Sequence, residues 1–183
     1  MNYRIFVEKK KDFRVEAQNL FSDLKENVGI SGLSDVRVLN IYDVFNLGEN
    51  DLEKLERTVF SEINADNVFR SLDEVFEEKN SENVYFSVEF LPGQYDQRAD
   101  SAIQCVNLLI DKDNNINVKS GKLIILYGKI SPEELAKIKK YYINEVEARE
   151  KDLNVLSENV ETENKDDVIV YDGFTEKTKE EIA

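Results

Sequence analysis

Acyl transfer, metal hydrolysis and redox catalysis draw on a short list of side chains, and this sequence supplies few of them. Cys105 is the single cysteine in 183 residues, and there is no histidine. An imidazole is the usual base of acyl-transfer triads and a common zinc ligand, so both kinds of site are excluded. Carboxylate chemistry or a binding role remains. A carboxylate-dependent hydrolase needs two acids converging in a cleft with their pKa values pushed apart, and no pair in the sequence points to that. The acidic clusters Asp73-Glu74, Glu77-Glu78 and Asp166-Asp167 lack the spaced Asp/Asn pattern and glycine of a calcium loop and read as solvated surface. Cys105 precedes Val106 on a helical stretch with no basic residue closer than Arg98, and a buried, inert thiol is expected.

The segment from Pro92 to Ser101 carries the best candidate site. It places a glycine turn ahead of a helix N-terminus with Arg98 in the first turn, an arrangement whose free backbone N–H groups can hold an anion. Without a Gly-rich fingerprint, a plain capped helix start is the simpler reading. Capping, however, requires only Asp96. The cluster Gln94, Tyr95, Asp96, Arg98 and Ser101 fits a contact surface better, because aromatic and guanidinium groups are common interface anchors and loops often carry function. Tyr141 and Tyr142 close a later helix, where one is expected to pack and the other to face outward.

The elements that position these residues follow from periodicity. Tyr3 to Glu8 alternates as a strand with Ile5 and Val7 on one side. A helix is expected from Phe13, with Phe13, Ala17, Leu20, Phe21, Leu24 and Val28 on one face, Asp12 as cap and Gly29 as stop. Val36 to Phe45 is rich in β-branched and aromatic residues, and Asn50-Asp51-Leu52-Glu53 then resembles a capping box opening a helix toward Phe60. After the acidic stretch at Glu77 to Glu82 the same order returns: strand Val84 to Leu91, a turn at Pro92-Gly93, a helix from Gln97, a turn-prone segment at Asp111 to Asn115, and a strand Val118 to Ile130 that Gly121 is expected to interrupt. Ser131-Pro132-Glu133-Glu134 combines N-cap, proline and capping-box glutamate at the start of another helix. Corresponding strands and caps lie roughly 81 to 82 positions apart, as expected of a duplication. Phe60-Ser61-Glu62-Ile63 likewise resembles Ile143-Asn144-Glu145-Val146.

The fold expected is therefore α+β: two pseudo-symmetric β-α-β-α halves, about 1–80 and 82–150, forming an antiparallel sheet covered by helices. Beyond residue 150, Ser157 to Asp167 is polar and aperiodic and reads as an acidic linker. Val168 to Tyr171 and Thr175 to Ala183 read as the truncated start of a following unit. With 38 acidic residues against 24 basic ones the formal charge is -14, which disfavours nucleic acid and anionic membrane surfaces as partners. A lone cysteine, no recognisable leader and no apolar run near the roughly 20 residues that span a bilayer together suggest a reducing, cytoplasmic setting.

Tyr3-Arg4-Ile5-Phe6-Val7-Glu8-Lys9-Lys10, Val28-Gly29-Ile30-Ser31-Gly32-Leu33 and Glu89-Phe90-Leu91-Pro92-Gly93-Gln94-Tyr95-Asp96-Gln97-Arg98-Ala99-Asp100-Ser101 closely resemble the start of the single-chain phosphoribosylformylglycinamidine synthases. Ile138 to Asn144, followed by Glu147-Ala148-Arg149-Glu150, resembles the end of the same N-terminal domain. The family implies a non-catalytic domain similar to a fused dimer of a small accessory subunit, bridging the glutaminase and synthetase domains of one polypeptide. It implies a glutamine- and ATP-dependent ligase of purine biosynthesis, with ATP and magnesium held by the full-length enzyme and no cofactor, metal or catalytic residue in this part, which is expected to be inactive alone. One branch of the family reads P-G-T-x-S-P-W-x-x-K-A where this chain has Pro92 to Ala102, and only Pro92, Gly93 and Ala102 match. Asp96 then replaces serine as cap. The alternative from a different class is a stand-alone regulatory module binding a small ligand between the halves, which requires a preformed cleft with a few convergent polar groups.

Overall fold

A computed structural model describes residues 1–76, 82–110 and 115–158. Strand β1 (Tyr3–Lys9) leads through a 3-10 turn (Lys11–Phe13) into α1 (Val15–Glu26), followed by β2 (Leu33–Phe45), α2 (Glu49–Leu55) with a π-helical turn (Glu56–Phe60), β3 (Asp66–Phe69) and α3 (Leu72–Phe76). The second half runs β4 (Asn83–Phe90), α4 (Gln97–Leu109), β5 (Asn117–Gly128), α5 (Pro132–Tyr142) and β6 (Ala148–Glu150). The six strands form one antiparallel sheet in the order β3-β1-β2-β5-β4-β6. No helix among the described residues is long and apolar enough to cross a membrane.

Some strand pairings recur at a nearly constant offset. Phe6 pairs with Ile41 and, 81 and 82 positions later, Ser87 pairs with Leu123. Val7 pairs with Val68, and Val88 with Glu150, at the same two offsets. Between the halves, β2 and β5 pair along twelve positions, with Asn40 directly opposite Lys122.

Residues directly opposite in a ladder share a face, so the registers sort the core. On one face Ile5, Val7, Tyr42, Val44 and Val118 cluster with Leu52, Leu55 and Phe60 of the α2 region and with Ala99, Ala102 and Val106 of α4. Farther along that face, Val36, Phe86, Ile124 and Leu126 cluster with Leu20 and Leu24 of α1 and Ile138 of α5. Each long helix packs chiefly on its own half's long strand, α1 on β2 and α4 on β5, and joins a cluster that also takes in residues of the other half. The β2–β5 ladder and these shared clusters join the two halves. On the opposite face Phe6, Leu39, Ile41, Leu123, Ile125 and Tyr127 cluster with Val75 of α3 and, partly buried, Leu153.

Local chemistry explains the best-defined boundaries and the departures from expectation. Ser131 accepts from the Glu134 N–H while the Glu134 carboxylate accepts from the Ser131 N–H, closing a full capping box. Asp96 caps α4 by accepting from the Ala99 N–H at 2.9 Å. Asp12, by contrast, caps nothing: α1 begins at Val15, and Phe13 lies in the preceding 3-10 turn with half its surface exposed. Nor does Asn50 cap α2, whose N-cap position is Gly48, with no side-chain bond. Gly121 does not interrupt β5. It pairs with Ile41 and Glu89, and a Cβ there would stand 2.7 Å from the Val88 carbonyl oxygen, so close strand approach accounts for the glycine.

The packed chain also passes residue 150. The Lys151 N–H bonds to the Ser87 carbonyl, Arg4 donates to the carbonyls of Leu153 and Val155, and Lys119 donates to those of Ser157 and Glu158. Residues 151–158 therefore lie along the sheet face opposite the long helices. The expected turn across 111–114, most of the acidic stretch at 77–82, and the readings of 159–183 lie outside the described residues.

Candidate functional site

The β4–α4 and α5–β6 connections meet at one edge of the sheet. Gly93 adopts φ +88°, the left-handed conformation that the turn after β4 requires, and the Gln94 N–H closes that turn on the Leu91 carbonyl at 3.0 Å. The Leu91 N–H donates to Glu147 O at 2.9 Å, and Gln94 Nε2 donates to Val146 O at 3.3 Å. Two loops more than fifty residues apart in sequence are thereby fixed side by side.

Within this frame the five candidate residues divide by role. Asp96 is a structural pin: besides capping α4, its carboxylate accepts from the Ser120 N–H and hydroxyl, both at 2.8 Å, and anchors the helix start to β5. Gln94 is spent on the loop-to-loop bond. Tyr95 is 70% exposed, and its phenol donates to Asp100 at 3.0 Å, which holds its pKa above the ordinary tyrosine value. Arg98 Nη1 donates to the Tyr42 hydroxyl at 3.2 Å, and Ser101 is exposed one helical turn farther on.

Arg98, Ser101 and Cys105 fall at i, i+3 and i+7, a single stripe of α4, and this stripe walls a cleft of about 780 Å³. Its floor includes Tyr42 and Lys122, and its far side Tyr142 and Glu147. The buried inert thiol expected at Cys105 is corrected: the side chain is exposed into this cleft, because the buried stripe of α4 is Ala99, Ala102 and Val106. Tyr142 packs edge-on against Phe86 with ring centroids 5.8 Å apart, whereas Tyr141 is half exposed, the division expected of the pair. Burial, with the nearby Glu16 carboxylate, raises the Tyr142 pKa, so its phenol stays protonated through the physiological range. Lys122 forms an ion pair with Glu16 of α1.

Sequence reasoning missed Tyr42, Lys122 and Glu147 as members of this site. Lys122 had a readable signal: Val118, Ser120, Lys122, Ile124 and Leu126 alternate onto the helix-covered face, so a lysine stands where the pattern asks for an apolar residue. Tyr42 and Glu147 reach the cleft only through long-range pairing, which spacing does not encode.

The opposite face holds two ionic clusters. Arg37 forms a bidentate pair with Glu8 at 2.8 and 2.6 Å and also donates to Val75 O and the Tyr127 hydroxyl. Burial opposes its charge, but the bonds to Glu8 and Tyr127 outweigh that cost and hold its pKa above the ordinary arginine value. Alongside, Asp43 takes Arg4 at 2.6 Å and Lys151 at 2.9 Å, and Lys151 reaches on to Glu89 at 2.8 Å, which also holds Arg149.

This arrangement places hydrogen-bonding, cationic and aromatic side chains around one cleft. Among the described residues no group of three histidine, cysteine or acidic side chains converges where a metal ion could be held. Comparison of the chain with protein-family models, with curated proteins and with solved structures finds no match.

Proposed function

We propose that the chain is a non-catalytic assembly domain, the N-terminal part of a single-chain phosphoribosylformylglycinamidine synthase, lying between the glutaminase and synthetase domains of one cytoplasmic polypeptide. The observation that carries the reading is the meeting of two of the blocks that carry the resemblance. Glu89 to Ser101 and Ile138 to Glu150 are joined by the Leu91–Glu147 and Gln94–Val146 hydrogen bonds and line one cleft together. A scaffold whose characteristic residues gather at one surface suits contact with a neighbouring domain.

The repeated ladder supports the same reading. Strand pairings that recur at offsets of 81 and 82 are what two fused copies of a small subunit would produce. ATP and magnesium belong, on this view, to the synthetase domain, and no step of the reaction passes through residues of this chain. The size of the native polypeptide tests the reading. Peptides of this sequence are expected in a native product many times longer than 183 residues that converts glutamine and ATP, and a native product of about 21 kDa would defeat the domain assignment.

A further inference from the structure

The arginines of this acidic protein are, with one exception, paired with carboxylates. Of its seven arginines, Arg4, Arg14, Arg37, Arg57, Arg70 and Arg149 each lie within ion-pair distance of a carboxylate. Arg98 does not: among the described residues its one hydrogen-bond partner is the Tyr42 phenol. With 38 acidic side chains on the chain, a guanidinium left without one, inside a cleft and exposed, is the exception that asks for a ligand. Helix α4 does not account for it, since Asp96 already caps the helix start.

The surroundings define what would fit. Lys122 adds a second cation, shared with Glu16, and Ser101 and the Tyr142 phenol add hydrogen-bonding groups. The exposed side chains of Phe90 and Tyr95, both lining the cleft, offer apolar contact at its mouth. Glu147, on the far side, opposes an anion placed against that wall and so directs it toward Arg98. We propose that this cleft is a carboxylate-binding site, in which Arg98 takes the carboxylate of a ligand whose apolar remainder packs against Phe90 and Tyr95. The proposal rests on the assembly reading only for where such a carboxylate comes from, an acidic side chain of a neighbouring domain or a free small molecule, and its failure would leave that reading standing.

Cys105, the only thiol and itself in the cleft, is the reporter. The 183-residue chain is reacted with an anionic and a cationic methanethiosulfonate of similar size, and the rate ratio is compared with that for glutathione. The anionic reagent is expected to be favoured relative to glutathione, and Arg98→Gln to reduce the ratio by roughly three- to tenfold, the effect of one nearby charge in a partly aqueous cleft. Arg98→Lys should retain most of the preference. N-acetylphenylalanine should slow the labelling of Cys105 while its amide does not, which points to a small-molecule carboxylate. Slowing only by an acetylated aspartate-containing peptide, again dependent on Arg98, points to a neighbouring domain. A ratio unchanged by Arg98→Gln in folded protein, with no protection by either carboxylate, would overturn the proposal.

Discussion

Replacing Arg37 by methionine is expected to cost about 3–5 kcal/mol of folding stability, the usual consequence of removing one partner from a buried ion pair. Arg37 is 4% exposed and Glu8 6%, so the substitution strands a carboxylate inside the sheet face under α3. It also deprives Val75 O and the Tyr127 hydroxyl of their shared donor. Removing both charges, as Arg37→Met with Glu8→Leu, should recover much of the loss, because a packed apolar pair avoids the desolvation cost altogether. Urea denaturation monitored by circular dichroism reads both variants. A loss under about 1 kcal/mol for the single change would mean that water reaches Glu8 and that the pair is not buried in solution.

Ending the chain at Glu150 should be nearly as damaging, with a loss of about 3–5 kcal/mol relative to a chain ending at Glu158. The shorter chain lacks Lys151, whose ammonium is 7% exposed and joins Asp43 of β2 to Glu89 of β4. It also lacks the Leu153 and Val155 carbonyls that Arg4 holds, and the Leu153 side chain that packs beside Leu39 and Ile41. Asp43 keeps Arg4 and Glu89 keeps Arg149, so the sheet should survive in weakened form. Equal stability of the two chains would show that residues 151–158 contribute nothing to the folded unit.

That boundary marks where sequence reading ran out. Composition places the change at residue 150 because Ser157 to Asp167 has no apolar period, yet Lys151 and Leu153 are held by partners more than sixty residues away, at β1, β2 and β4. Interactions confined to one turn were legible. The Ser131 box and the Asp96 cap both depend on residues three positions apart, and both form. Strands β3 and β6, of four and three residues, passed unnoticed because so short a run carries no alternation to detect. Phe13 was assigned to the buried face of α1 from its spacing, whereas the chain turns once before the helix begins and leaves the ring outside. At the candidate site, the spacing predicts the Asp96 cap but none of the longer-range contacts. Asp96 turns out to be fastened to Ser120, and the cleft beside Arg98 needs Tyr42, Lys122 and Tyr142 from three distant elements.

The central claim is that this surface serves contact between domains. Tyr95 and Arg98 are both exposed, so replacing them by alanine in the isolated chain should shift stability by no more than about 0.5 kcal/mol. In the full-length synthase that the proposed function implies, the same double change should act on communication between the sites, and the direct measurement is the ratio of glutamine-dependent to ammonia-dependent turnover. The account predicts that glutamine-dependent turnover falls while turnover with added ammonia is largely kept. An unchanged ratio in the enzyme, together with unfolding of the isolated variant chain, would contradict it and make the segment merely structural.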